Sequence, residues 1–209
     1  MAEPMPAPAF AARWDGALLA TVAEINELML ESLRQAAEPS HPCPTRDTPR
    51  LVAALPELWR ALDALAQQRL ARCPYLLLDA GFATPQRWQR DAWQSGVREG
   101  SGAARGYFAG PVGVALVRRT LVFAWHLARS HRLTARVLLG MSAECAERIG
   151  ASALRDLEAV AELRPEWIAP RWEGQPHIWR QLMQAAVDGR EDVLRPVQLR
   201  GLQLLAAAS

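Results

Sequence analysis

Residues 111–139 read PVGVALVRRTLVFAWHLARSHRLTARVLL, the longest helical stretch of the chain. Val112, Leu116, Phe123, Leu127 and Leu138 fall on one side when residues are set at 100° intervals, the period of an α-helix. Arg118, Arg129, Arg132 and Arg136 gather into a narrow stripe on another side, provided the helix is continuous. Gly140 supplies a stop, and Ser142 can cap a following helix that Gly150 ends. Ser152 can cap one more, to Leu163, which Pro165 closes. The stretch also bears on membranes. No run of about 18 apolar residues occurs, because Arg118 and Arg119 interrupt the best candidate, from Val112 to Leu127.

Upstream the same period returns. From Trp14 to about Ala37, Leu18, Val22, Ile25, Met29 and Leu33 recur at three- and four-residue steps, with Glu24, Glu27 and Glu31 on a wetter face. Pro39, Pro42, Pro44 and Pro49 then make a stiff linker. The expected organisation is a tail and helix over 1–37, a Pro-rich linker over 38–49 and a helical main domain over 50–209. Pro56 opens the longer piece of a second helical region, which carries Leu58, Trp59, Leu62, Leu65 and Leu70. Tyr75–Phe82, YLLLDAGF, suits either a short buried strand or a helical turn ending at Gly81. Thr84 and Pro85 start a short helix with Trp88 and Trp93, and the five glycines between 96 and 110 make a loop.

Downstream lies PEWIAPRWEGQPHIW, residues 165–179, with three of the eight tryptophans and three prolines. Each indole carries roughly 150–250 Å² to bury, and the prolines prevent one regular helix. A rigid, turn-rich flap on a helical body follows. Pro176 opens a helix with Ile178, Trp179, Leu182 and Met183, ended by Gly189. A last helix starts near Glu191 and is interrupted at Pro196. The expected fold is all-α, an irregular multi-helix bundle with a Trp/Pro-rich turn segment.

Composition excludes several chemistries. All 24 basic residues are arginine, so a phosphate-loop lysine, a Schiff-base lysine and a lysine general base are absent. The formal net charge of +2 gives no global polyanion-binding signature. Cys43, Cys73 and Cys145 are odd in number and widely spaced, which fits a reducing compartment better than a disulfide framework. The first residues lack a basic and then apolar leader, so no secretory signal is read there. The expected protein is cytoplasmic and meets a membrane only through partners.

No catalytic constellation emerges. His126 and His131 are five apart, whereas a helical zinc pair needs one turn. Gly140-Met-Ser142-Ala-Glu144 lacks the final glycine of a nucleophile elbow. Cys145 falls on an apolar side, as an inert thiol does. No metal, cofactor or enzymatic activity is expected. Tryptophan and arginine are instead frequent interface anchors, which singles out Trp167, Trp172 and Trp179 and the arginines at 118, 129, 132 and 136. A competing reading is a transcriptional regulator whose short helices between Leu133 and Leu163 meet DNA.

The order of these segments resembles a known family. LVFAWHLARSHRLTARVLLG, MSAECAERIGASALRDLEAVAEL and RPEWIAPRWEGQPHIW are similar to the SctK proteins of bacterial type III secretion systems, in the Hrp-operon branch of plant-pathogenic bacteria. The matching positions are Leu121–Leu139, Leu154–Leu163, and Trp167, Pro170, Trp172 and Trp179. The resemblance implies a non-enzymatic sorting-platform scaffold, peripheral to the inner membrane. Its partners would be an SctQ-type pod protein and an SctD-type ring protein.

Overall fold

The helical period becomes ten α-helices and one two-stranded ribbon among the described residues of the computed structural model. Described are residues 16–37, 49–89, 92, 107–108 and 110–208. The helices are α1 Gly16–Ala37, α2 Arg50–Ala54, α3 Pro56–Ala61, α4 Ala64–Ala71, α5 Gly110–Ser130, α6 Arg132–Leu139, α7 Ala143–Ala151, α8 Leu154–Leu163, α9 Pro176–Asp188 and α10 Glu191–Ala208. The ribbon pairs β1, Leu78–Asp79, antiparallel with β2, Ala169–Pro170, in the register Leu78 opposite Pro170. The fold is all-α, as its periodicity requires. None of these helices is long and apolar enough to cross a membrane.

Helix α5 packs on α7 and α8; α9 packs on α3, α4 and α10; α1 lies against both α4 and α5 and so joins the two groups. Val22, Ile25, Met29, Leu30 and Leu33 of α1 belong to the same buried cluster as Leu70, Leu127 and Trp179. The proposed separation of residues 1–37 from 50–209 is therefore corrected. The prolines after Ala37 punctuate the chain, while the apolar face of α1 completes a core that the later helices cannot close. Residues 38–48 of the linker, the tail to residue 15, Trp93 and residues 96–106 of the glycine loop lie outside the described residues.

Several signals act where the sequence puts them. Pro56 and Pro176 stand at the first turns of α3 and α9. The Ser142 hydroxyl accepts the Cys145 N–H at 3.1 Å and caps α7. Gly140 ends α6 at φ 59°, where a side chain would be strained and would press on Leu205 and Arg171.

Other signals act differently. At His131 the backbone turns to φ −145° and ψ 63°, which separates α5 from α6. Val112, on the first turn of α5, is 72% exposed, so the buried side of that helix begins later. Gly150 lies inside α7, close against the Ala128 carbonyl, and the helix runs to Ala151. Ser152 does not cap α8. Its hydroxyl donates back to the Arg148 carbonyl at 2.9 Å, and Ala153 precedes α8 without a side-chain bond. Thr84 likewise makes no cap bond, and Pro85–Trp88 is a single 3₁₀ turn. Pro196 lies within α10, which continues through it at the loss of one early helical bond.

Tyr75–Phe82 resolves toward the strand alternative, and most of it runs fully buried. Buried backbone groups must be paired, and two distant side chains do most of that work. Asn26 of α1, 0% exposed, donates to the Ala71 and Tyr75 carbonyls at 3.1 and 3.0 Å and accepts the Leu77 N–H at 2.8 Å. Arg171 covers the other side. The Leu76 N–H goes to the Leu138 carbonyl at 2.9 Å.

Cys73 and Cys145 are buried free thiols. Burial pushes Cys73 up to about 12, against smaller opposing effects of Tyr75 and Gln198, and also raises Cys145. At pH 8 a thiol of that acidity is ionised to only ~10⁻⁴. Iodoacetamide is expected to leave both unmodified in the native protein and to alkylate both in urea. Peptide mass mapping reads the result, and native labelling of Cys73 would contradict this placement.

Candidate docking surface

The tryptophan-rich segment folds as a turn-rich flap hung from one guanidinium. After a 3₁₀ turn at Pro165–Trp167 the chain forms β2, reaches Arg171, and bends through Trp172–Gln175 into α9. The Arg171 side chain is buried. Its Nε donates to the Leu76 carbonyl at 2.9 Å, and its Nη2 donates to the Leu78 and Leu139 carbonyls at 2.8 Å each. Its backbone N–H bonds the Leu77 carbonyl at 2.8 Å. Burial draws this guanidinium below its usual range, opposed by the Asp79 carboxylate 4.0 Å away. The fork of five donors suits such a set of carbonyls, one of which is an unsatisfied end of α6.

Trp179 anchors the flap from below. It is fully buried, its ring centroid 6.3 Å from that of Trp59, and its indole N–H donates to the Arg171 carbonyl at 2.6 Å. As a core residue it presents nothing to a partner, so its candidacy as a contact is corrected. Proximity to Pro176 suggested a flap residue, but position 179 falls on the inward face of α9.

Trp167 and Trp172 are half-buried. Trp172 stands at φ 54°, among the described residues the one non-glycine with positive φ. That conformation costs about 1 kcal/mol or more, and the ring is held edge-on to Tyr75 at 5.8 Å and 75°. Trp167 meets Trp88 edge-on at 6.1 Å, with the Arg87 guanidinium 6.0 Å from its ring. Trp88 in turn stacks on Phe82. The flap thus offers two partly exposed indoles on a braced backbone.

The arginines do not form one stripe, because α5 and α6 break at His131. Arg118 of α5 is paired with Glu162 of α8 at 2.7 Å. Arg129 lies 4.9 Å from the Trp125 ring and donates to the Gly150 carbonyl at 3.4 Å. With the Trp125 indole on the Ser152 carbonyl at 2.9 Å, it ties the end of α7 to α5. Arg132 is exposed at the start of α6, and Arg136 is half-buried with its Nε enclosed.

Charge on the short helices works against a duplex-DNA partner. On α7, Glu144 and Glu147 are exposed and Arg148 is bound to Glu144 at 2.7 Å; on α8, Glu158 and Glu162 are exposed. Carboxylates in those places repel phosphates. No group of three or more His, Cys, Asp or Glu is placed to hold a metal ion among the described residues. A hollow of about 420 Å³ between α1 and α4 is lined by Glu27, Glu31, Arg34, Asp63 and Gln67. There the Glu31 carboxyl is lowered, first by its bond to Arg34 and then by Gln35.

Sequence reasoning missed Asn26 and Arg171. Asn26 had a readable signal, since it sits one turn after Val22 inside an apolar face. Arg171, between Pro170 and Trp172, carried none. No family model matches this chain, and neither a curated protein nor a solved structure matches it.

Proposed function

We propose that this protein is a non-enzymatic cytoplasmic scaffold of a bacterial type III secretion apparatus, bridging an SctD-type inner-membrane ring protein and an SctQ-type pod protein. The observation that carries the docking mechanism is the braced flap. Arg171 and Trp179 fix its backbone, so Trp167 and Trp172 stand partly exposed with little freedom to lose on binding. Binding energy concentrates on such pre-set aromatic groups. The SctK-like order of helices, followed by a Trp- and Pro-containing turn, supplies the choice of apparatus.

The test is co-purification of the full chain with each partner. A Trp167→Ala/Trp172→Ala double variant is expected to weaken retention of at least one partner tenfold or more, a loss of about 1.4 kcal/mol. Its far-ultraviolet circular dichroism should remain that of the parent. Failure of the parent chain to retain either partner would remove the scaffold reading. Unchanged retention by the folded double variant would remove the indoles from it.

A further inference from the structure

The outer surface of α9 and α10 differs in charge from the rest of the molecule. Residues 174–187 and 193–208 contain no aspartate or glutamate, yet they hold His177, Arg180, Arg195 and Arg200. All four are exposed. Among the described residues none of them has a carboxylate partner, whereas Arg118, Arg119, Arg148 and Arg190 are each bound to one. The acidic residues nearest in sequence are Glu173 before α9, Asp188 at the last residue of α9, and Glu191 and Asp192 in the first turn of α10. Asp192 is taken up by Arg190 at 2.8 Å, and Asp188 accepts from Gln184 at 3.0 Å. Glu173 is close enough to Tyr107 to raise its phenol, after the larger effect of burial.

Between the two helices runs a groove with a notch of about 70 Å³. Ile178, Val197 and Leu204 give it an apolar lining, and His177, Gln181 and Arg200 are its polar members. Gly201 also lines the notch, and α10 passes so close to Tyr75 there that a Cβ would fall on the Tyr75 hydroxyl. Leu204 is left 38% exposed. Val193, Val197, Arg200 and Leu204 follow at i, i+4, i+7 and i+11, one row along α10. The groove also adjoins the aromatic flap, since Gln175 lines it and bonds the Trp172 carbonyl through its own N–H at 2.8 Å.

We propose that the α9–α10 groove seats an acidic amphipathic helix of a partner protein. One aliphatic side chain enters the notch beside Leu204, and carboxylates on the same helix meet Arg200, His177 and Arg180. The proposal rests on the docking reading above and adds the partner's chemistry. Charge complementarity selects the occupant, because His177 and Arg200 line the groove, Arg180 is exposed on α9, and none of the three has a carboxylate partner among the described residues. The apolar lining selects a helix over a nucleic acid, whose affinity comes from phosphates and not from a hydrophobic notch.

The experiment uses the full chain and a fluorescein-labelled 18-residue peptide with leucine at i, i+3, i+4 and i+7 spacing and glutamate elsewhere. A control peptide carries lysine in place of every glutamate. Fluorescence polarisation at 0.1 M salt is expected to show saturable binding of the glutamate peptide and none of the lysine peptide. A His177→Glu/Arg200→Glu variant is expected to bind at least tenfold more weakly with an unchanged melting temperature. The Gly201 amide should shift in nuclear magnetic resonance spectra on binding. Equal binding of both peptides, no binding of the glutamate peptide, an unaffected double variant, or tighter binding of duplex DNA or phosphatidylserine vesicles through the same two residues would each overturn the proposal. The same variant separates the two readings in co-purification. If it still retains both secretion partners, the groove assignment falls and the scaffold stands. If the parent retains neither, the scaffold falls and the peptide result decides the groove by itself.

Discussion

Arg171→Met is expected to lower the unfolding free energy by at least about 3 kcal/mol, read from urea denaturation. Two effects compete. Losing the charge removes the cost of burying it, the reason its guanidinium is drawn down, and an apolar substitute for a buried ion can be neutral. Here, however, the partners remain. The side-chain bonds to the Leu76, Leu78 and Leu139 carbonyls vanish, and each unsatisfied buried group costs about 1–3 kcal/mol. The second effect wins unless water enters. Arg171→Lys separates charge from geometry: a compact ammonium keeps the charge but cannot span three carbonyls. It should lose more than half as much as methionine. Near-ultraviolet circular dichroism should weaken in both, because Trp172 and Trp179 take their settings from this flap. A methionine variant as stable as the parent would show that the guanidinium does not hold the segment.

Trp179→Ala is expected to cost about 3–5 kcal/mol, the range for removing a fully buried aromatic side chain. The cavity would open against Trp59, and the Arg171 carbonyl would lose its 2.6 Å donor. Trp179→Phe isolates that bond, since it keeps most of the ring and drops the N–H; a loss of about 1–2 kcal/mol is expected. Thermal melts of the two variants check the order. If alanine at 179 left the melting temperature unchanged while abolishing partner retention, Trp179 would be a contact residue and its buried position would be wrong. A loss of retention together with stability is the expected outcome.

Much of the architecture was legible because local rules suffice for it. Apolar residues at three- and four-residue steps placed α1, α5 and α9. Gly140, Ser142, Pro56 and Pro176 marked ends where backbone chemistry leaves few choices. What escaped was non-local. The break at His131 has no proline or glycine to announce it, so four arginines looked collinear when they are not. Ser152 had two places to put its hydroxyl, and the preceding turn won over the following helix. Domain division failed for a related reason: a proline-rich stretch says how the chain moves on, but not whether the helix before it returns to the same core.

The candidate surface was legible in part. Tryptophan density pointed to the flap, where Trp167 and Trp172 are the partly exposed members. Trp179 could not be sorted by composition, because inward and outward indoles read alike until α9 is phased. Arg171 looked like one more surface arginine. Its role appears only when residues 76, 78 and 139 are brought around it. The acid-free runs 174–187 and 193–208 were visible as bare sequence, yet their meaning required knowing that α9 and α10 lie side by side.

The clamp on Tyr75–Leu78 also sets a timetable for biosynthesis. The bond from Arg171 to the Leu76 carbonyl joins residues 95 positions apart. At about 5–20 residues per second, a ribosome needs roughly 5–20 s to add that length. Throughout that interval the nascent first half holds leucine carbonyls with no lasting donor for their lone pairs, so it cannot close ahead of the second. Completion is therefore a late, whole-chain event, and a ribosome stalled before residue 171 would display an open, chaperone-ready intermediate.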